Sequence, residues 1–226
     1  MPTTRQPAYQ ILDGDGRATF VSHFLGSHRA FRRDAARFPI ALHRIGTDRS
    51  PDTDALCRHW ADYNAALGYH HHMEDEQLFP ALRDLDGALD NVIDTLLAQH
   101  DDLDSTIAGV EEMLSLLPSA QAAGPAALAC EDLAAALEVH FDLEEEHLVP
   151  VLRATMFEPG PGEPGEAQEG QQQPHDNPLV FVMPWIADGL DHETVAALLD
   201  SGPRSMKASF AGWQADYTDR LSRWWS

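Results

Sequence analysis

Cysteine is scarce in this chain: two in 226 residues, Cys57 and Cys130, with no neighbouring thiol at paired spacing. That excludes a disulfide framework and a thiolate zinc site. The two thiols read as buried or half-buried apolar side chains, and other groups must carry any chemistry. Cations are also few. Lys and Arg number 15 against 37 Asp and Glu, a formal charge of −22. Nucleic acid and anionic membrane surfaces are bound by Lys and Arg that displace counterions, so this chain is expected to bind neither. Long hydrophobic runs are missing too. The longest, Leu179 to Ala187, is interrupted by Pro184, and a bilayer needs about 20 apolar residues. No secretory-type stretch follows Met1-Pro2-Thr3-Thr4-Arg5. The expectation is a soluble cytoplasmic protein of one domain plus an extension.

Histidine is the abundant residue, with twelve copies, many of them on helical stripes. Val21, Phe24, His28, Phe31, Ala35 and Phe38 recur at spacings of three and four, which traces one helix face ending before Pro39. A second helix opens at Ser50-Pro51-Asp52 and carries Leu56, Trp60, Tyr63, Leu67, His70, Glu74 and Leu78, with Pro80 near its end. After a turn at Asp86-Gly87 comes a third stripe, Leu89, Ile93, Leu96, His100, Leu103, Ile107, Val110, Leu114 and Leu117, which stops at Pro118. The fourth follows Gly124-Pro125 with Leu133, Leu137, His140, Glu144, Leu148 and Val151. Four amphipathic helices with short connections predict an all-α fold, an antiparallel up-and-down four-helix bundle over residues 1–157. Residues 158–178, rich in Pro, Gly, Glu and Gln, read as a flexible linker. Residues 179–226 read as an aromatic-rich helical extension docking on the bundle, with helix candidates at Asp191–Leu199 and Met206–Trp225.

The two halves repeat each other. His70-x-x-x-Glu74-Asp75-x-x-x-x-Pro80 matches His140-x-x-x-Glu144-Glu145-x-x-x-x-Pro150, and the single histidines His28 and His100 keep step with it. Histidine and carboxylate at i and i+4 share a helix face, so both reach one metal or a close metal pair. A carboxylate buried alone costs several kcal/mol or neutralises by a pKa shift. A pair of cations bridged by Glu74 and Glu144, with His28, His70, His100 and His140 completing the shells, satisfies all six.

These residues resemble a known family. The run His70-His71-His72-Met73-Glu74-Asp75-Glu76-Gln77-Leu78-Phe79-Pro80, with His28-Arg29, His100-Asp101 and His140-x-x-x-Glu144-Glu145, is similar to the hemerythrin-like, histidine–histidine–glutamate cation-binding domain over about residues 18–156. The resemblance implies a four-helix bundle around a non-haem di-iron centre, two iron ions bridged by carboxylates and an oxo or hydroxo group, that reacts with dioxygen or its reduced forms. It places His28 and His70 mainly on one iron, His100 and His140 on the other, with Glu74 and Glu144 bridging. Manganese in one site suits the same oxygen-rich donors. One departure stands out. Where oxygen carriers have a second helix-three histidine, this chain has Asp104. An anionic oxygen ligand there favours ferric iron or a labile position, and turnover or sensing over reversible carriage. The carriers' helix-four spacing points to Glu145, whereas the stripe favours Glu144.

His71, His72 and His147 flank the inferred ligands as exposed or outer groups, with His147, three residues after Glu144 as in ferritin-type di-iron sites, kept as an alternative or additional ligand ahead of His71 and His72, while His23, His43, His59, His175 and His192 read as surface residues. Tyr63 reads as core packing, with a phenol donating to bound oxygen as the alternative. Arg29, Arg32 and Arg33 read as a solvated helix face. Three functions follow: reaction with dioxygen, peroxide or a related small oxidant; oxidation of a small organic substrate, for which the extension would act as a lid; and sensing or iron storage. The order favours small-oxidant chemistry and leans towards an enzyme.

Overall fold

The computed structural model describes residues 10–155 and 178–225. His175 and all of the expected linker except Pro178 lie outside them. The described chain is helical, without a strand. The helices are α1 (Phe20–Leu42), α2 (Thr53–Met73), a π turn (Glu74–Leu78), α3 (Phe79–Leu85), a 3-10 turn (Gly87–Leu89), α4 (Asp90–Leu114), α5 (Ala120–Thr155), α6 (Leu179–Ala187), α7 (His192–Asp200) and α8 (Arg204–Trp224).

Several boundaries differ from the sequence reading. Asp52 caps α2 as expected, its carboxylate accepting from the Ala55 N–H at 3.0 Å. α1, however, runs through Pro39 to Leu42. Phe38, Ala41 and Leu42 are all buried, and their burial, worth about 1.5–3 kcal/mol for each large side chain, offsets the one backbone hydrogen bond that proline removes. α5 likewise starts ahead of Gly124-Pro125, where Ala122, Ala123, Ala126 and Ala127 are buried.

Among the described residues the chain divides into two compact units, one of 31–147 and 219–225, the other of 10–30, 148–155 and 178–218. The boundaries between the units fall inside α1, α5 and α8, and the expected boundary at residue 157 lies outside the described residues. In the first unit the predicted stripes form the core: Phe31 and Phe38 of α1, Leu56, Trp60, Tyr63 and Leu67 of α2, Ile93, Leu96, Leu103, Ile107 and Val110 of α4, and Leu133, Leu137 and Phe141 of α5 are buried. The end of α8 belongs here. Trp224 lies against Phe38, with centroids 5.3 Å apart and planes 13° apart, and against His59 at 4.7 Å. His59 stands eleven residues before His70, roughly 17 Å along a helix. In this unit the terminal turn therefore holds α1 to α2 and does not cover His70.

In the second unit Phe181 and Trp185 stack at 5.6 Å on α6, and Gly26 of α1 is small because a Cβ there would meet Ile186 at 3.0 Å. Arg29 donates to the carbonyls of Asp188 and Gly189 at 2.9 and 2.7 Å. No helix among the described residues is long and apolar enough to cross a membrane.

Candidate metal centre

Glu74 is where the centre begins. It closes α2 and opens the π turn, in which the Phe79 N–H reaches back to the Glu74 carbonyl. Such single π turns commonly mark functional positions in helices. At 3.6 residues per turn, His70 lies about 40° to one side of Glu74 and His71 about 60° to the other. One carboxylate therefore stands between two imidazoles of its own helix.

Two groupings result in the first unit, and Glu74 belongs to both. Ligand atoms of His71, Glu74, His100 and His140 lie within 4.8 Å of one another, and those of His70, Glu74 and Glu144 do so as well. His70 Nε2 is 3.1 Å from Glu74 Oε1, His100 Nε2 is 3.6 Å from Glu74 Oε2, and His140 Nε2 is 3.3 Å from Glu144 Oε1. His71, Glu74, His100, His140 and Glu144 are all buried. Phe31 and Phe79 wall the imidazoles, at 5.4 Å from His70 and 5.7 Å from His100.

The outer hydrogen bonds fix the imidazole tautomers. His100 Nδ1–H donates to Asp75 at 2.8 Å, and His140 Nδ1–H donates to the Gln99 side-chain oxygen at 3.0 Å. Each ring then presents a lone pair at Nε2, and the two Nε2 atoms face each other at 3.2 Å. Two lone pairs at that separation repel unless a cation lies close to both. A proton is a poor substitute, since burial pulls the His100 pKa down although Asp75 works to raise it. Burial, aided by the neighbouring His100 and His140, pushes His71 down to about 2.

The carboxylates carry the same signature. Burial raises the pKa of Glu74 well above the carboxylate range, and Glu144 adds to the rise. Glu144 is raised as well, chiefly by burial. Both Glu74 oxygens and His71 Nε2 are buried without a hydrogen bond. A site of neutral imidazoles and carboxylates with buried, unsatisfied ligand atoms fits a divalent or trivalent cation.

Other expected residues fall elsewhere. Asp104 is exposed and belongs to neither grouping, because the buried stripe of α4 steps from His100 to Leu103 and leaves position 104 on its outer flank. Glu145 is buried but bonded to Arg32 at 2.5 Å, so the stripe position Glu144 faces His140. His72 is exposed and His147 half-buried, outside both groupings. His28, fully buried, sits on α1 one turn before Phe31.

His71 is the ligand-type residue that the sequence reading set aside. The signal was present as His71-x-x-Glu74, an i, i+3 pair beside the i, i+4 pair of His70. In the repeat, position 141 is Phe, so comparison of the halves hid it. Two further expectations are corrected, those for His59 and for the arginines, while Tyr63 lies in the core as expected. His59 is buried and bonded to Asp34 at 2.7 Å. Arg32 and Arg33 are buried rather than solvated: Arg32 grips Glu138, Asp142 and Glu145, and Arg33 bonds Asp34 at 2.9 Å. Tyr63 is core, its hydroxyl pointing to the Phe31 carbonyl at 3.4 Å.

Comparison with curated proteins and with solved structures returned no match. The model of the hemerythrin HHE cation binding domain matches residues 19–157, more than half the chain and a span that contains every residue of both groupings, and the chain belongs to that family.

Proposed function

We propose that this protein is a non-haem di-iron protein whose four-helix, up-and-down bundle binds dioxygen, peroxide or a related small oxidant and reacts with it. The observation that supports it most is the sharing of Glu74 by two groupings of buried imidazole and carboxylate. In this reading His71, His100 and His140 hold one ion with Glu74. His70 and Glu144 would hold the second together with Glu74. Two irons held there supply oxidation and reduction of a small oxygen species.

The chain's own residues do the rest. Asp75 and Gln99 keep the Nδ1 protons of His100 and His140 outward, which holds both Nε2 lone pairs inward. Phe31, Phe79 and Phe141 pack directly on the ligand rings and exclude water. That close aromatic wall favours a diatomic or peroxide-sized reactant over an organic substrate.

Elemental analysis of purified protein, with its optical spectrum, tests the reading. About two irons per chain with near-ultraviolet ligand-to-iron charge-transfer absorption are expected, and His70→Ala or His140→Ala strips most of the metal. One equivalent of zinc, or metal content unchanged in both variants, would overturn it; manganese beside iron would place the mixed pair. Dioxygen release on peroxide addition supports small-oxidant chemistry, whereas oxygen uptake only with an added organic compound points to the oxidase reading.

A further inference from the structure

Acidic residues outnumber basic ones more than two to one in this chain, yet one cavity of the first unit inverts the ratio. It measures about 190 Å³ and is lined by Ala55, Arg58 and His59 of α2 and by Arg220 and Arg223 of α8. Three of the five lining residues are arginines, a fourth is histidine, and none is acidic. We propose that this cavity binds a small phosphate-class oxyanion, at a site separate from the metal centre.

Three of the lining side chains are paired with neighbours. Arg220 is oriented by Asp62 at 2.9 Å and Arg223 by Asp219 at 2.9 Å. These bonds set guanidinium planes that carry five N–H donors each, the fork geometry that matches the oxygens of a phosphate. His59 is fixed from behind, because its Nε2–H donates to Asp34 at 2.7 Å and its ring lies on Trp224 at 4.7 Å. Behind it the buried Asp34 is balanced by Arg33 and Arg37, at 2.9 and 3.0 Å, so the cavity is backed by further cations. Arg58 is exposed at the rim, where its guanidinium needs no rearrangement of the core to meet a ligand.

The net charge of the chain does not cancel this. At physiological ionic strength charges more than about 8 Å away are largely screened, so an oxyanion in the cavity responds to its three lining arginines together with Asp62 and Asp219, which offset two of them and leave the local balance positive. An extended polyanion, by contrast, would run out over the acidic surface. A single phosphate group is therefore the ligand that the charge distribution admits.

Isothermal titration of the full-length protein with inorganic phosphate, at constant ionic strength balanced with chloride, tests the site. Saturable binding near one per chain is expected, with a change in tryptophan fluorescence because Trp224 lies on His59. Arg58→Glu should weaken that binding at least tenfold and Arg58→Gln by less, both with unchanged helical circular dichroism and unchanged metal content. Glycerol phosphate run in parallel assigns the site to phosphomonoesters if it binds more tightly than inorganic phosphate, and to the free ion if it binds more weakly. No saturable phosphate binding above the chloride control, or equal binding in Arg58→Glu, as from phosphate held at the metal centre, would overturn the proposal.

Discussion

The first unit buries two sets of carboxylates in opposite ways. Asp34 is fully buried and meets Arg33, Arg37 and His59, and Glu145 is buried and meets Arg32. Glu74 and Glu144 are equally buried and face imidazoles. The pKa directions follow. Burial alone would raise Asp34, but the charges and hydrogen bonds of Arg33 and His59 overcome it and hold the carboxyl well below the usual range. At Glu74 burial has no cationic side chain set against it, and the pKa rises. The first set is complete within the chain. The second is complete only with a cation from outside, and the two should fail differently when cut.

The largest effect is expected at Glu74, because both groupings use it. Glu74→Ala should weaken metal binding by on the order of 100-fold or more, measured by elemental analysis after dialysis. Glu144→Ala, which touches one grouping, should lose less. In metal-free protein Glu74→Gln should leave thermal stability unchanged or raised, since it replaces a buried carboxyl that no cationic side chain balances. A variant that kept its metal but unfolded would make Glu74 a structural residue and erase the contrast with Asp34.

Asp34→Asn should show the reverse. Removing one member of a buried charge network costs about 3–5 kcal/mol, a drop in melting temperature of roughly 10 °C for a chain of this size, with metal content unchanged. The loss should depend on pH. The unfolded carboxyl takes up a proton near its ordinary pKa of about 4 while the folded one stays ionised. The stabilisation by Asp34 is therefore complete above that pKa and fades as pH falls below it. Urea midpoints of wild type and variant, well separated at pH 7, should converge towards pH 3.

Helix existence and the core stripe were legible because a period of 3.6 leaves little choice about which face is buried, and Phe31, Tyr63, His100 and Leu137 all lie where the spacing puts them. The pairing of His70 with Glu74 and of His140 with Glu144 was legible for the same reason. Boundaries were not, since Pro39 and Pro125 mark breaks locally that buried neighbours override. Asp104 was misplaced because i+3 and i+4 both lie near one face, and only the packing of Leu103 decides between them. Arg32, Arg33 and His59 were misread because a charged side chain gives no sign in sequence of the distant carboxylate that allows its burial. His71 was hidden by the repeat, which invites the halves to be treated as equal when Phe141 makes them unequal.

The smallest predicted effects distinguish the two outer partners of the metal-facing imidazoles. Asp75 and Gln99 do the same task, each accepting an Nδ1–H, but one is an anion and the other a neutral amide. Hydrogen bonds to an ionised group are roughly twice as strong, and losing an outer partner typically costs 10–100-fold in metal affinity. Asp75→Ala should fall inside that range. Its carboxylate is 36% exposed, so solvent screening keeps it from the top. Gln99→Ala should sit near tenfold or below, and Asp75→Asn lower still, because the amide oxygen continues to accept the same proton. Competition with a chelator of known affinity measures all three. If Asp75→Asn cost as much as Asp75→Ala, the charge of Asp75 would matter more than the tautomer it holds, and His100 would owe its donor strength to electrostatics.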